Sequence, residues 1–327
     1  MSKKKTMVDV SKALNVSTMT VSKCFQNSPD ISDGMRKKVL RKAREIGYVY
    51  PKKRHKNILV LTKNIYVSKD DTFYNELYLR LSEAADNRFV QLSMSILKQS
   101  ISDRDVSALD FSAYHGVLLM GQFEKSFIKA IGDLNIPFAC IDFYYHGIDA
   151  ECIISNNFFG AFDATSHLID LGHKNIRFVG TLQKTSSIND RYLGYQKALM
   201  EASLPCDDAV IDDRDGNGLF DHFTLPSPLP TAFVCNNDHT AHKLIQQLKS
   251  NGIEVPEAVS VTGFDDVSYA KTSSPQITTM RVSRTLMANT SLDVLLEKID
   301  QERSFSRRTT LDCFIVDRDS TAPPKDS

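Results

Sequence analysis

The stretch NVSTMTVSKCFQNSPDIS, Asn15 to Ser32, sets Val16, Val21 and Phe25 among small hydroxyl residues, with Lys23 in their midst. It is too polar for a wholly buried element, yet Val21 and Phe25 stand four apart, the spacing at which side chains share one face of a helix. Asn15-Val16 reads as a turn and Ser17 as the N-cap of a helix running from Thr18 to about Phe25. That helix buries Val21 and Phe25 and leaves Thr18, Met19, Ser22 and Lys23 outside. Upstream, Thr6 caps a first helix, with Asp9 three residues on in a variant of the capping box and Val10, Ala13 and Leu14 as its apolar side. Downstream, Ser32 caps a third helix whose Met35, Val39, Ala43 and Ile46 share one face, and Gly47 ends it. Two short helices joined by a tight turn, the second polar outside, make a helix-turn-helix. The N-terminal side chains of its second helix reach base edges in a major groove, while small hydroxyls and the helix dipole favour phosphates.

Charge agrees with that reading. The formal net charge is +0, but residues 1–57 hold 15 Lys and Arg against 4 Asp and Glu, a balance of +11, which leaves −11 on the remainder. A small basic head on a larger acidic body points to a polyanionic partner for the head alone. At 327 residues and 42% hydrophobic, the chain suffices for two or three domains. No apolar run approaches the length of a membrane span, and the basic start MSKKKTMVDVSKAL lacks the apolar core of a secretory signal. Six cysteines (Cys24, Cys140, Cys152, Cys206, Cys235, Cys313) without a C-x-x-C pair suggest a reducing cytoplasm, with neither a disulfide framework nor a structural zinc site.

TMVDVSKALNVSTMTVSKCFQNSPDISDGMRKKVLRKAREIGYVYP resembles the N-terminal module of the LacI/GalR transcription regulators over nearly its whole length. The resemblance implies a DNA-contacting set of Thr6, Ser17, Thr18, Met19, Thr20, Ser22, Lys23 and Asn27, in which Thr18, Met19 and Lys23 read bases while Thr20 and Ser22 hold phosphates. The family usually carries arginine at the position of Lys23. Lysine lacks the planar fork that grips guanine, so discrimination there should be weaker. In the family a short hinge helix follows and presses a leucine into the minor groove. Here Pro51 leads through KKRHKN directly into the apolar run Ile58–Leu61, so no hinge helix is expected, and with it little bending of the duplex.

Beyond the head, strand-like runs (ILVLT, VQLSMSIL, GVLLMG, FACIDF, IRFVG, TAFVCNND, VSVTGFDD) alternate with helical ones. This alternation predicts α/β architecture with parallel sheets. HLIDLGHKNIRFVG, NDRYLGYQKALMEASL, PTAFVCNND and VPEAVSVTGFDDVSYA resemble the effector-binding half of the same regulators, which is similar to periplasmic sugar-binding proteins. The resemblance implies two lobes crossed three times, near Ser155–Asn157, Val282–Arg284 and Phe314–Val316. The expected organisation is a helix-turn-helix domain at 1–50, a basic linker at 51–57, a first lobe of 58–156 plus 284–316, and a second of 157–283 plus 317–327. Ligands of open α/β sheets sit at the carboxyl ends of strands. The matching positions are Phe73, Tyr74, Asn156, Arg191, Asn237 and Asp265, a set suited to a sugar, with aromatic faces for C–H surfaces and Arg and Asp for hydroxyls. The bland alternatives are core aromatics at Phe73 and Tyr74 and a helix-capping role for Asp265.

Two decoys stand aside from this scheme. Asp212–Thr224 partly matches a calcium loop, with Asp213, Asp215, Asn217 and Gly218 in place but Thr224 where the bidentate Glu belongs, so a solvated acidic turn is the expectation. His239 and His242 are three apart and lack a third ligand. With no phosphate loop, nucleophile elbow or paired catalytic carboxylates, the chain reads as no enzyme, needing no cofactor and no metal. It reads instead as a cytoplasmic, ligand-responsive regulator of the repressor type that binds a pseudo-palindromic operator as a homodimer. The helix around Leu77–Ala85 and the segment Leu286–Leu296 are the expected dimer surface. The alternatives are a DNA-binding regulator whose cleft is ligand-independent or answers a partner protein, and a cytoplasmic sugar-binding protein without DNA function.

Overall fold

A computed structural model describes residues 5–25, 28, 30–48, 55–67, 72–98, 103–206, 210–214, 222–300 and 305–325. It divides into two units, Met1–His55 and Lys56–Ser327. The first contains α1 (Met7–Leu14), α2 (Thr18–Phe25) and α3 (Asp33–Glu45). The starts of all three are fixed locally. The Thr6 N–H donates to the Asp9 carboxylate at 2.8 Å, the Thr20 N–H to Ser17 Oγ at 2.9 Å, and the Met35 N–H to Ser32 Oγ at 3.4 Å. Asn15, in left-handed conformation with φ 53, closes α1 and sets the turn. The core is Val10, Val21, Cys24, Val39, Ala43 and Tyr48.

Two expectations fail here. Ala13 is exposed, and the apolar side of α1 is Met7, Val10 and Leu14. Phe25 is only half-buried, edge-on to Tyr48 at 5.8 Å, while Cys24 takes the deep position. Val21 and Cys24 lie three apart, so they face inward together and Phe25 is turned to the rim.

The second unit holds two sheets. β1 (Lys56–Lys63), α4 (Thr72–Asp86), β2 (Val90–Leu97), β3 (Gly116–Met120), α5 (Lys125–Asp133), β4 (Phe138–Ile141) and β5 (Glu151–Ser155) build the first. With β10 (Arg308–Leu311) it runs β10-β5-β4-β3-β1-β2, every pair parallel. The second is ordered β11-β9-β8-β7-β6, from β6 (Ile176–Val179), β7 (Ala232–Cys235), β8 (Ser260–Asp265), β9 (Thr278–Arg281) and β11 (Phe314–Val316). Around these lie α6 (Asn157–Asp170), α7 (Ser186–Glu201), α8 (Asp238–Ser250), the short α9 (Ser268–Thr272), and α10 (Arg284–Ile299), which packs back on the first sheet.

Continuous apolar strands split by parity. Ile58, Val60, Leu118, Met120, Ala139 and Ile141 enter the core under α4 and α10, while Leu59, Leu61, Val117, Leu119, Phe138 and Cys140 enter the core under α5. A parallel sheet covered on both faces requires that pattern.

Two differences from the sequence reading concern boundaries, and a third the expected dimer surface. β1 starts at Lys56 rather than Ile58, and the Lys56 ammonium pairs with Asp300 at 2.5 Å, so the last two residues of the expected linker belong to the body. Residues 49–54, where the hinge question is decided, lie outside the described residues. Phe314–Val316 pairs antiparallel with β9 in the second sheet, so the last crossing falls at Asp312–Cys313 and those three residues leave the first lobe. The antiparallel sense follows because the chain leaves the first sheet at β10 and enters the edge of the second beside β9, running against it. The apolar faces expected for a dimer are largely spent inside the chain. Leu77, Leu81, Met287, Leu292 and Leu295 are fully buried, whereas Leu79 and Leu286 stay about half exposed.

Candidate functional site

In the head, α2 presents Ser17, Thr18 and Met19 to solvent, Met19 with 69% of its surface exposed. Ser17 Oγ also meets Thr20 Oγ1 at 2.8 Å, so both hydroxyls are fixed at the helix start. Ser22 is half-buried on the same helix. The Lys23 ammonium pairs with Asp30 at 2.9 Å, and this hydrogen bond and charge hold the Asp30 carboxyl below the usual carboxylate range. Arg36 donates to Ser28 O and to Asp33, both at 2.8 Å, and so ties the loop after α2 to α3. Thr6 is exposed at the start of α1. Asn27 lies outside the described residues.

In the body, one polar cluster lies where the two lobes meet. From the first lobe, the Tyr74 hydroxyl at the start of α4 donates to Asp142 Oδ2 at 2.7 Å. Asp142 follows β4 directly. Phe73 and Tyr66 pack on the Tyr74 ring at 5.1 and 4.9 Å. From the second lobe, Arg191 on α7 donates from Nε to Asn157 Oδ1 at 2.8 Å, from Nη1 to the Asn236 carbonyl at 2.5 Å, and from Nη2 to Asp265 Oδ1 at 3.2 Å. Its guanidinium lies 3.7 Å from the centre of the Phe264 ring. Asp265 ends β8 with φ 103, a conformation costly for a residue with a Cβ and typical of functional positions.

The electrostatics tie these groups to one space. Burial raises the Asp142 carboxyl to about 6, with Arg191 and the Tyr74 hydrogen bond pulling the other way and Asp265 adding to the rise. Burial also raises Asp265, outweighing the attraction of Arg191. Asp142 Oδ1 is buried and, among the described residues, without a hydrogen-bond partner, although buried carboxylate oxygens are normally satisfied. Around this space the lobes are bridged. The Gln122 carboxamide accepts the Ser186 N–H at 2.7 Å and donates to Lys184 O at 3.3 Å, and the Tyr144 hydroxyl donates to Asp190 at 2.9 Å.

Of the six expected cleft residues, Tyr74, Arg191 and Asp265 come together, with Phe73 buried behind Tyr74. Asn156 and Asn237 do not join them. Asn156 accepts the Phe159 N–H at the start of α6 and donates to Asp312, and Asn237 accepts the Thr240 N–H at the start of α8. Their neighbours Asn157 and Asn236 meet Arg191 instead. Both pairs are Asn-Asn doublets, in which one residue caps a helix and the other meets Arg191, Asn157 through its side chain and Asn236 through its carbonyl, and sequence alone does not say which. Asp142 was missed, although an acid at the carboxyl end of FACID is itself a signal in an open α/β sheet.

The calcium-like loop is also corrected. Asp213 is 1% exposed, not a solvated turn residue. It accepts from the Thr181 N–H and hydroxyl at 2.8 and 2.9 Å, from Thr240 at 2.7 Å, and from Asn236. Asp215, Asn217 and Gly218 lie outside the described residues. His239 stacks on Tyr269 at 4.7 Å and His242 meets Ser273 Oγ at 2.7 Å. Among the described residues, no three metal-ligating side chains gather.

The head and the body are each matched by known proteins. The family described as bacterial regulatory proteins, lacI family, matches residues 6–50, and the periplasmic binding protein-like domain matches residues 165–321. The chain thus joins a segment similar to the lacI-family regulatory module with one similar to a periplasmic binding protein-like domain. Among its relatives, the HTH-type transcriptional repressor PurR of Actinobacillus pleuropneumoniae is 27% identical over 94% of this chain and 95% of its own length. The ribose operon repressor of Haemophilus influenzae is 26% identical over 96% and 98%. In fold, the chain resembles a transcriptional regulator CelR–cellobiose complex with a TM-score of 0.73 at 22% identity, covering 97% of this chain and all of the other. It resembles the operator-bound lac repressor dimer with a TM-score of 0.68 at 20% identity, covering 98% of this chain and 100% of that one. α2 and Arg191–Asp265 fall inside the segments matched by the two family models, whereas Tyr74 and Asp142 fall outside them. No described helix is long and apolar enough to cross a membrane.

Proposed function

We propose that this chain is a cytoplasmic, sequence-specific transcription regulator of the repressor type. It binds a pseudo-palindromic operator as a homodimer, and a carbohydrate held between its lobes alters that binding. The observation that carries the reading is the union, in one chain, of a basic helix-turn-helix head with a body whose lobes converge on Tyr74, Asp142, Arg191 and Asp265. Thr18, Met19 and Lys23 read bases, Thr20 and Ser22 hold phosphates, and Thr6, Ser17 and Asn27 complete the DNA-binding set. In the cleft, Tyr74 offers a ring face, Arg191 donates, and Asp142 and Asp265 accept, a donor–acceptor set suited to vicinal hydroxyls. A relative named for the ribose operon and structures holding cellobiose or ribose support a sugar as the class of effector.

Selecting DNA from a random pool with the full chain tests the first half of the proposal. A two-fold motif, changed by Met19→Ala or Lys23→Ala, is expected, and an unchanged motif would remove α2 from the recognition role. Calorimetric titration of the full chain with ribose, cellobiose and other sugars tests the second half, and no heat with any member of a broad panel would overturn the carbohydrate reading.

A second reading has its own observation. Every nitrogen of the Arg191 guanidinium donates to the protein itself, and Gln122 and Tyr144 already bridge the lobes. A regulator whose lobes stay closed without effector, and which answers a partner protein, fits that arrangement. Equal operator affinity across the whole sugar panel would favour it.

A further inference from the structure

Cys140 and Cys152 occupy paired positions on β4 and β5, neighbouring parallel strands. Both side chains enter the same core under α5, beside Phe123, Phe127 and Phe143. Parallel neighbours stand about 4.8 Å apart, inside the span of roughly 4.4–6.8 Å between the Cα atoms of bridged cysteines. Of the six cysteines, these two face each other across neighbouring strands; Cys235 pairs with Val179, and Cys24 belongs to the head. The two thiols differ in access. Cys140 is 1% exposed and Cys152 7%, and Cys152 lies next to the edge strand β10, paired with the exposed Arg308.

We propose that Cys140 and Cys152 form a redox-responsive dithiol, which a hydroperoxide oxidises to a reversible disulfide. Cys152 is the attacking thiol. The hydrogen bond from Cys140 favours its thiolate, and Arg308 and Lys298 add to this against the effect of burial. Burial holds the Cys140 thiol protonated. With hydrogen peroxide, the Cys152 thiolate attacks one oxygen and the O–O bond breaks. This leaves a sulfenic acid on Cys152 and a hydroxide, which takes the Cys140 proton and departs as water. The Cys140 sulfur then displaces the sulfenic oxygen, which leaves as hydroxide and becomes water on protonation. Two thiols lose two electrons and one peroxide becomes two waters.

The location gives the bond a route to the lobe interface. Arg308, beside Cys152, lies 4.2 Å from the centre of the Tyr144 ring, whose hydroxyl donates to Asp190 in the second lobe. Cys140 lies two residues before Asp142.

The test uses the full native chain, treated with hydrogen peroxide and mapped by intact mass and by peptide mass spectrometry. The expected result is the loss of two hydrogens, a crosslink joining the peptides of Cys140 and Cys152, and its reversal by dithiothreitol. Cys152→Ser should abolish the crosslink, and Cys206→Ser, a change at a half-buried thiol elsewhere, should leave it intact. Sulfinic acid at Cys152 without a crosslink, unreacted thiols at both positions, or crosslinks joining other cysteines would each overturn the proposal. If Cys152→Ser fails to fold, as circular dichroism would show, the wild-type map still decides.

Discussion

Asp142 concentrates the physics of this chain in one side chain. Its folded pKa of about 6 stands above the ordinary 3.8, so its burial is tolerated below the ordinary value and costs stability as pH rises through about 6. Asp142→Asn should therefore gain on the wild type as pH increases, by up to about 3 kcal/mol at slightly alkaline pH. Urea unfolding of both proteins at several pH values checks this, and a difference that does not vary with pH would show that the carboxyl does not titrate in that range. Arg191 carries the opposite charge in the same space. Arg191→Ala strands the Asp265 carboxylate and should cost about 3–5 kcal/mol. Arg191→Lys keeps the charge but cannot reach Asn157, Asn236 and Asp265 together, so it should lie between the two in unfolding experiments.

At the level of elements, one glycine sets the place of that arginine. A Cβ at Gly194 would stand 1.9 Å from the Phe158 carbonyl oxygen on α6. α7 therefore lies directly on α6, and Arg191, one turn earlier, meets Asn157 at the start of α6. Gly194→Ala should push the helices apart, cost at least about 2 kcal/mol, and weaken effector binding more than DNA binding; a fully stable variant with unchanged sugar titration would refute the close packing. In the head, Lys23 is held by Asp30 through an exposed pair of the kind that is readily broken. Asp30→Asn removes an acid beside the proposed DNA-reading face of α2 and releases Lys23 from this pair. Operator binding at low salt should tighten on the order of two- to fivefold, read by fluorescence anisotropy, and looser binding would mean that the pair orients Lys23 for its base.

For the molecule as a whole, the segregation of charge into +11 on residues 1–57 and −11 on the rest makes phosphate contacts the dominant part of affinity. If a dimer neutralises about 8 phosphates, log K should fall with log salt at a slope near −7. A slope shallower than about −2 would separate residues 1–57 from the role of DNA-binding unit.

The three head helices were legible from caps and spacing, because Thr6–Asp9, Ser17 and Ser32 act within a few residues of themselves. The alternation of strands and helices was legible for the same reason, since burial on both faces of a parallel sheet writes itself into runs such as GVLLMG. Tyr74, Arg191 and Asp265 were named through the family resemblance and not through any local signal, since only Asp265 ends a strand while Tyr74 lies in α4 and Arg191 within α7. What needed the tertiary structure was every choice made between near neighbours or across distance. Asn157 rather than Asn156 meets Arg191, Cys24 rather than Phe25 fills the head core, and Phe314–Val316 joins the second sheet. A shift of one residue on a strand or helix costs nothing locally and reverses which side is buried, so only packing against a partner element decides it. The meeting of Asp142 with Tyr74, and of Cys140 with Cys152, depends on strand order and register, which arise when separate segments of the chain dock.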